Sequence, residues 1–471
     1  MAALDGWIEN EARIAAAGML RAVSATNLVK ERPGFGQRVV PRPGSVVASP
    51  VLAAYDPDPD YFFHWFRDSA IVIDALRLAF EHGLVDAAAA EHLSEFVEFS
   101  RSLRGLDGRE LLRDGRFRDK VKPPFLQYAR PDAEIAAVFG EAALAEARVN
   151  PDGTLDFTRW ARPQNDGAAL EVLALARWRT AKPGLEATLE TAMLELAASD
   201  LDFIRMRARE RSFDIWEEER GYHYFTQLVQ AEALTQGADW LEGTGDAARA
   251  RACRSVAAEL APSLDAYWSP ADGFYRSRMD VIGGGSPQKA LDIAVILGVI
   301  HARRAKGTHS VLDPKAQATL AALEDRFDAE YAINRARGPE RGPAMGRYSG
   351  DAYYGGNPWY LATLAAAEFY FRLAVALNTG AEMATTDENA RFRRRLSAAG
   401  GAGDSPAAAA MERGDMFMRT VHAYTPASGD LSEQFDRTTG AQTSAKQLAW
   451  SYAAFITAAA SRRQACQAIR G

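Results

Sequence analysis

The sequence predicts an all-α protein built as a toroid of paired helices around one central site. Three observations lead there. Apolar residues recur with helical spacing in about twelve stretches that cover most of the 471-residue chain. Neither strand-helix-strand alternation nor a glycine-rich phosphate loop is present, which speaks against a doubly wound parallel sheet. Polar and aromatic clusters collect in long segments between the periodic ones, and long loops on a rigid scaffold carry function.

The elements follow in order. A first helix is expected over 5–25, then a polar and aromatic segment at 44–68 that runs into helices over 66–81 and 85–102. Segments 115–130 and 158–166 precede helices over 166–179 and 184–207, and 208–222 leads into helices over 223–236 and 245–265. Past 267–286 come helices over 288–303 and 314–332, and past 341–359 one over 359–377. The last two, over 413–423 and 445–462, flank the segment 424–443. The stretch 380–412 breaks the pattern. Ser397 to Ala410 is rich in Ala, Gly and Ser and flanked by charges, so 380–412 reads as a flexible surface excursion. The arginine run Arg391 to Arg395 reads as a solvated helix end.

Composition narrows the partners. At 48% hydrophobic the chain has ample material for a large core. A formal net charge of -7 argues against nucleic acid and against an anionic membrane surface, since either needs a clustered basic face. Aromatic residues make up 10%, with 9 Trp and 15 Tyr, and exposed rings serve as stacking platforms for an uncharged polar ligand such as a sugar. No apolar stretch of membrane-spanning length and no signal-peptide pattern is read, so a soluble protein is expected. Cys253 and Cys466 lack metal spacing; two buried thiols and one disulfide both remain open. No metal or other cofactor is expected.

Three constellations bear chemistry. In Phe213-Asp214-Ile215-Trp216-Glu217-Glu218-Glu219-Arg220, three carboxylates crowd beside a tryptophan. Burial and like charge both raise a carboxyl pKa, which favours a protonated general acid. A solvated acidic turn ahead of a helix has the same composition. In Gly429-Asp430-Leu431-Ser432-Glu433-Gln434-Phe435, ahead of Trp450-Ser451-Tyr452, a loop carboxylate is placed to activate water or to cap the following helix. Glycoside hydrolysis needs two carboxyls on opposite sides of a sugar, and Glu217 and Glu433 are two loop carboxylates far apart in the chain. The third group comprises Tyr61 to Asp68, Trp160 to Gly167 and Gly346 to Tyr354. Each brings an Arg and an Asp within a few residues of a large ring, supplying fixed donors, acceptors and a flat face for a sugar. Singly each is equally an ion pair beside a core aromatic; three on successive loops favour a site.

In chain order these strings resemble the sequence blocks of the family 15 glycoside hydrolases, the glucoamylases. Gly44-Ser45-Val46-Val47-Ala48-Ser49-Pro50 leads into Asp60-Tyr61-Phe62 and Trp65-x-Arg67-Asp68. Arg162-Pro163-Gln164-x-Asp166-Gly167, Asp214-x-Trp216-Glu217-Glu218, Gly346-Arg347-Tyr348, Tyr353-Tyr354-x-Gly356-Asn357-Pro358-Trp359, Ser432-Glu433-Gln434-Phe435 and Trp450-Ser451-Tyr452 follow.

The resemblance spans nearly the whole chain and implies an (α/α)6 barrel forming a single catalytic domain over 1–471. The few residues after Ala460 are too short for a starch-binding domain. It also implies an inverting exo-glycosidase releasing β-D-glucose from the non-reducing ends of α-1,4-glucans and maltooligosaccharides, with Glu217 as general acid and Glu433 as general base. Tyr61, Trp65, Arg67, Asp68, Arg347 and Asp351 fall on positions that grip the terminal glucose. Trp160, Trp216, Glu218 and Trp359 line the site or its second sugar position, and Arg162 and Tyr348, from the same motifs, are counted as substrate-binding. The expected partner is an α-glucan oligosaccharide, bound by a monomer. Ala2-Ala3-Leu4-Asp5-Gly6-Trp7 resembles the start of a mature member, so export with a signal peptide removed stays open.

The chain departs from the family pattern at several points. Ile215 stands where leucine is usual, Ala161 replaces a glycine, Ser349 a proline, and Glu219-Arg220 a common Val-Asn pair. That charged pair, beside the acid, is expected where the second sugar is chosen. Specificity for α-1,6 linkages or for trehalose is therefore an alternative. A non-catalytic sugar-sensing domain is another, against which the presence of both carboxyls speaks.

Overall fold

The computed structural model describes residues 2–54, 57–114, 116–181, 185–401 and 405–470. Among them, twelve helices build the frame: α1 (Ala2–Leu20), α2 (Phe66–Glu81), α3 (Ala88–Leu103), α4 (Gly167–Ala181), α5 (Ala187–Arg207), α6 (Tyr224–Gly243), α7 (Ala247–Asp265), α8 (Ala294–Ala302), α9 (Pro314–Glu330), α10 (Tyr360–Asn378), α11 (Pro406–Tyr424) and α12 (Ala449–Arg470). The even-numbered helices close a ring in which α2 packs on α4, α4 on α6, α6 on α8, α8 on α10, α10 on α12 and α12 back on α2. The odd-numbered helices wrap it, α1 on α12, α5 on α4, α7 on α6, α9 on α8 and α11 on α10, while α3 bridges α2 and α5. This is the (α/α)6 barrel.

Sequence decides which helix goes inside. A helix that is apolar all round must be covered all round. α8, AVILGVIHA, is buried at every position but His301, and α10 is buried continuously from Tyr360 to Phe371. α10 is also long and apolar enough to cross a membrane, which corrects the expectation that no such stretch exists; 78% of its 18-residue apolar window is buried inside the protein, as befits an inner-ring helix. Outer helices carry ordinary start signals. Asp246 accepts from Arg249 N (3.1 Å), Asp313 from Lys315 N (2.9 Å) and Ser405 from Ala408 N (3.2 Å), with Pro314 and Pro406 opening their helices. The two rings share one continuous apolar core. A satellite core around Phe35, Phe117, Ile135 and Phe157 underlies the long segment between α3 and α4.

The sequence reading of 380–412 needs correction. Within 380–412 the helix Ala390–Ala399 is docked, with Phe392 and Leu396 buried, Phe392 stacked on Tyr370 at 5.2 Å and Asn389 donating to Gln317 Oε1 at 2.8 Å. Residues 402–404 of that stretch lie outside the described residues. The helix opens with the arginine run, of which Arg391 and Arg394 are exposed as expected, while Arg391 also pairs with Asp325 at 2.8 Å and Arg395 with Glu324 at 3.2 Å. Its apolar anchors are spaced four residues apart inside a charged sequence, which hides them from composition. Cys253 and Cys466 are not joined by a disulfide.

Candidate active site

Every inner helix begins at the same end of the barrel, and the loop before it carries one of the sequence clusters. Five of the six loops send side chains into a single pocket of about 330 Å³. Tyr61, Trp65, Arg67 and Asp68 come from the entry to α2; Trp160 and Ala161 precede α4; Ile215 to Glu218 precede α6; Arg347, Tyr353 and Trp359 precede α10; Glu433, Leu448 and Trp450 lead into α12. The sixth loop, before α8, places Lys289 and Asp292 behind the wall.

Glu217 sits at the tip of a hairpin whose strands Ser212–Phe213 and Arg220–His223 are antiparallel. Asp214 closes the turn: its carbonyl accepts from Glu217 N (3.0 Å) and its Oδ1 from the amides of Glu218 (2.8 Å) and Glu219 (2.9 Å). Glu217 itself is left-handed, φ 65°, an uncommon state for a residue with a Cβ and one that concentrates at functional sites. Its Oε1 accepts from Trp65 Nε1 and Gln164 Nε2, both at 2.8 Å, with Arg67 Nη2 at 3.6 Å. Oε2 meets the Trp160 indole N–H at 2.5 Å. With Oε1 held by two donors, Oε2 is the oxygen suited to carry a transferable proton.

Glu433 is 2% exposed. It precedes α12 by too many residues to cap it, which removes the capping alternative. Ser444 Oγ donates to Oε2, Gln434 Nε2 donates to the same atom at 3.3 Å, and Tyr61 Oη donates to Oε1 at 3.1 Å. Burial pushes the carboxyl up to about 7, against these donors and the Arg347 charge. A base poised near neutrality suits activation of water. Tyr61 also shares a 2.6 Å hydrogen bond with Tyr353 and lies 5.3 Å from the Trp65 ring, so one aromatic bridge joins the surroundings of both carboxyls.

Between them lies a set of polar atoms that the protein leaves partly unsatisfied. Arg67 is fixed by Gln164 Oε1 (2.9 Å) and Asp166 Oδ2 (3.3 Å), yet its Nε and Asp68 Oδ2, 3.4 Å apart, have no hydrogen-bond partner among the described residues. Buried polar atoms are normally paired, so this donor and acceptor fit ligand hydroxyls. Burial, with help from the charges of Glu217 and Asp166, raises Asp68 to about 6. Arg347 is clamped by Asp351 (Nε to Oδ2, 2.7 Å) and reaches Glu218 Oε1 at 2.8 Å. Trp216 is held by its indole N–H on Asp292 at 2.9 Å and tilts against Trp359 at 5.3 Å.

Of the fourteen sequence-selected residues, eleven line this pocket. Arg162, Tyr348 and Asp351 do not. Arg162 is locked to Glu146 (2.5 Å) and Asp156 (3.0 Å) beneath the loop; Tyr348 Oη donates to Glu218 Oε2 at 2.6 Å; Asp351 holds Arg347. Each is bonded to a charged side chain instead. The carboxylates crowded in sequence are also separated in space, since Glu218 turns to Arg347 and Lys289 while Glu219 pairs with Arg278 at 2.5 Å and accepts from Ser286 N at 2.8 Å. Glu219 thus pins the neighbouring loop and Arg220 is exposed on a strand, so neither lines the pocket as expected.

Several residues of the site escaped the sequence reading. Gln164 and Tyr353 lay inside quoted motifs, where their proximity to a motif carboxylate was the available signal, and Ser444 lay between two of those motifs. Lys289 and Arg148 lay outside any motif. Lys289 is 1% exposed and bridges Asp214 (2.6 Å) and Glu218, holding Asp214 below the usual carboxylate range despite its burial. Arg148 stacks its guanidinium 3.5 Å from the Trp160 ring and 4.8 Å from Trp65, anchored by Asp156 at 2.9 Å. Nothing local in sequence marks a residue whose partners come from other loops.

Comparison with known proteins points to one family. The model of the glycosyl hydrolases family 15 matches residues 36–106 and 126–460. Glucoamylase P of Amorphotheca resinae is 31% identical, over 96% of this chain and 69% of that protein. A glucoamylase of Blastobotrys adeninivorans is 28% identical, over 90% and 68% respectively. Among solved structures, a glucoamylase of Hormoconis resinae superposes with a TM-score of 0.79 at 28% identity, covering 98% of this chain and 74% of that one. The chain spans about two thirds of the length of several of the curated relatives it matches, and 91% of a probable glucoamylase of Schizosaccharomyces pombe.

Proposed function

The chain belongs to the glycosyl hydrolases of family 15, and from that premise we propose that it cuts single β-D-glucose units from the non-reducing ends of α-1,4-glucans with inversion. Glu217 is the general acid and Glu433 the general base. The observation that supports this most is that both carboxyls line one small pocket, with Arg67 and Asp68 beside them carrying unsatisfied polar atoms.

The Arg67 Nε and Asp68 Oδ2 pair takes hydroxyls of the terminal sugar, with Tyr61 and Trp65 against its ring. Trp160 Nε1 and the two donors on Oε1 fix the Glu217 carboxyl, whose proton on Oε2 goes to the glycosidic oxygen as the bond to the anomeric carbon breaks. Glu433 takes a proton from water as that water attacks the opposite face of the ring, which inverts the anomeric centre. Glu218, held by Arg347, Tyr348 and Lys289, faces the second sugar. A single chain supplies every residue named, which supports action as a monomer.

Proton NMR of product release from maltose, isomaltose, trehalose and maltoheptaose tests the reaction. β-Glucose appearing first, fastest from maltoheptaose and maltose, is expected; α-glucose first overturns inversion. Glu217→Gln and Glu433→Gln should each lose about 10² to 10⁴-fold in kcat, and near-normal turnover in either refutes its role.

A further inference from the structure

At the barrel end opposite the pocket, where α2, α4, α6 and α8 finish, lies a second cavity of about 480 Å³ lined by Arg77, Arg177, Arg179 and Arg303 together with Glu81 and Asp239. Beneath it, the carboxylate of Asp74 accepts three guanidiniums at once: Arg77 Nη2 at 2.7 Å, Arg177 Nη1 at 2.7 Å and Arg303 Nη2 at 3.1 Å. One negative charge cannot balance three positive ones. Glu81 answers Arg77 at 2.8 Å, but Asp239 is taken by Arg254 at 2.8 Å. Arg372, whose charge also reaches Arg177 and Arg303, is answered by Glu368 at 2.6 Å. Arg177 and Arg303 therefore share Asp74 between them, which leaves one positive charge in excess.

The carboxyl ends of the inner helices account for some of this positive charge, because helix dipoles there favour cations. They do not account for two further features. Arg303 directly follows α8 in the left-handed region, φ 59°, a position usually given to glycine, and its Nε is buried without a hydrogen-bond partner among the described residues. Strain is thus kept to aim a guanidinium whose donor is not satisfied by the protein. At the rim, Arg179 is exposed, lies 5.5 Å from the Trp240 ring and forms no ion pair among the described residues. Burial pulls Arg177 and Arg303 below the usual arginine range against the attraction of Asp74, and the neighbouring arginines add to the lowering.

We propose that this floor cavity binds a phosphate-bearing small molecule, inorganic phosphate or a sugar phosphate, through Arg177, Arg179 and Arg303. Guanidinium forks match phosphate oxygens two at a time, and the cavity has the size of a small-ligand site. The site lies at the far end of the barrel from Glu217 and Glu433, so its ligand is not the glucan.

Titration calorimetry of the full chain with inorganic phosphate and with ribose 5-phosphate, against sodium chloride at matched ionic strength, tests this. Saturable binding of millimolar or tighter affinity is expected for one or both. Tighter binding of ribose 5-phosphate marks a sugar-phosphate site, and equal or tighter binding of phosphate alone marks an ion site. Arg303→Gln should weaken binding about tenfold or more, the scale of a lost charge-assisted hydrogen bond. Arg179→Gln, on the exposed rim where folding is not at stake, should weaken it while leaving maltose turnover unchanged. No saturable binding of either compound by wild type overturns the proposal. So does undiminished binding by Arg179→Gln or by folded Arg303→Gln.

Discussion

Removing the Ser444 hydroxyl should move the acid limb of the pH-rate profile upward. Ser444 Oγ donates to Glu433 Oε2 and so favours the ionised carboxyl, which burial otherwise raises to about 7. Ser444 has φ 61°, so Ser444→Gly deletes the hydroxyl without adding backbone strain, and Ser444→Ala deletes it in a second context. A hydrogen bond to a charged group is worth about 1.5–3 kcal/mol, and one pKa unit corresponds to about 1.4 kcal/mol. Tyr61 at 3.1 Å and Gln434 at 3.3 Å remain as donors, so the lower end applies and the shift is about one unit. The assay is kcat/KM for maltose across the pH range, because that ratio reports the free enzyme. Both variants should lose about tenfold at pH well below the limb and nearly nothing above it. A limb that stays in place, or moves down, in a variant with intact fold would refute Glu433 as the base held by this hydroxyl.

Three other outcomes follow from the same structure. Glu11, Asp292 and Glu433, each raised to about 7, and Asp68, raised to about 6, bind protons in the folded state that the unfolded chain has released. Their stabilisation is complete below about pH 4 and fades as pH rises to about 7. Asp74, Asp156 and Glu368, held low mainly by arginines despite burial, lose theirs on acidification below the usual carboxylate range. Buried His64 and His301, lowered to about 4, act in the opposite direction and lose stability as pH falls below about 6.5, so the carboxyl share is read from Glu11→Gln, which should raise Tm over wild type more at pH 7.5 than at pH 5; a difference independent of pH would contradict the environment of Glu11. Gly44→Ala should lower the urea midpoint by the equivalent of about 2 kcal/mol or more, since φ is +82° and a Cβ would meet Glu95 O at 2.0 Å; Gly6→Ala, with nothing within 4 Å and inside α1, should instead raise it by up to about 1 kcal/mol. Arg162→Met should cost about 3–5 kcal/mol by leaving Glu146 and Asp156 short of a buried partner, with the KM of the folded fraction little changed. A large KM rise at unaltered Tm would return Arg162 to the substrate.

The local code of this protein is readable without its fold. Apolar spacing of 3.6 residues located twelve helices, with 66–81 predicted to the residue, because a helix is specified by its own sequence and by the face it must bury. The motif strings named Glu217, Glu433 and the rings around them for the same reason: each string is one loop. What the sequence could not decide is which loops meet and which way a side chain turns when they do. Glu218 and Glu219 follow Glu217 directly in the chain, yet cations from two other loops draw them away from it. Arg162 shares a motif with Gln164, but only Gln164 reaches the acid. Closure of the inner ring by α12 on α2 brings residue 433 beside residue 61, and burial at that junction sets the proton affinity of Glu433. Desolvation and pairing depend on atoms distant in sequence, so the tertiary structure alone determined the electrostatics on which this chemistry depends.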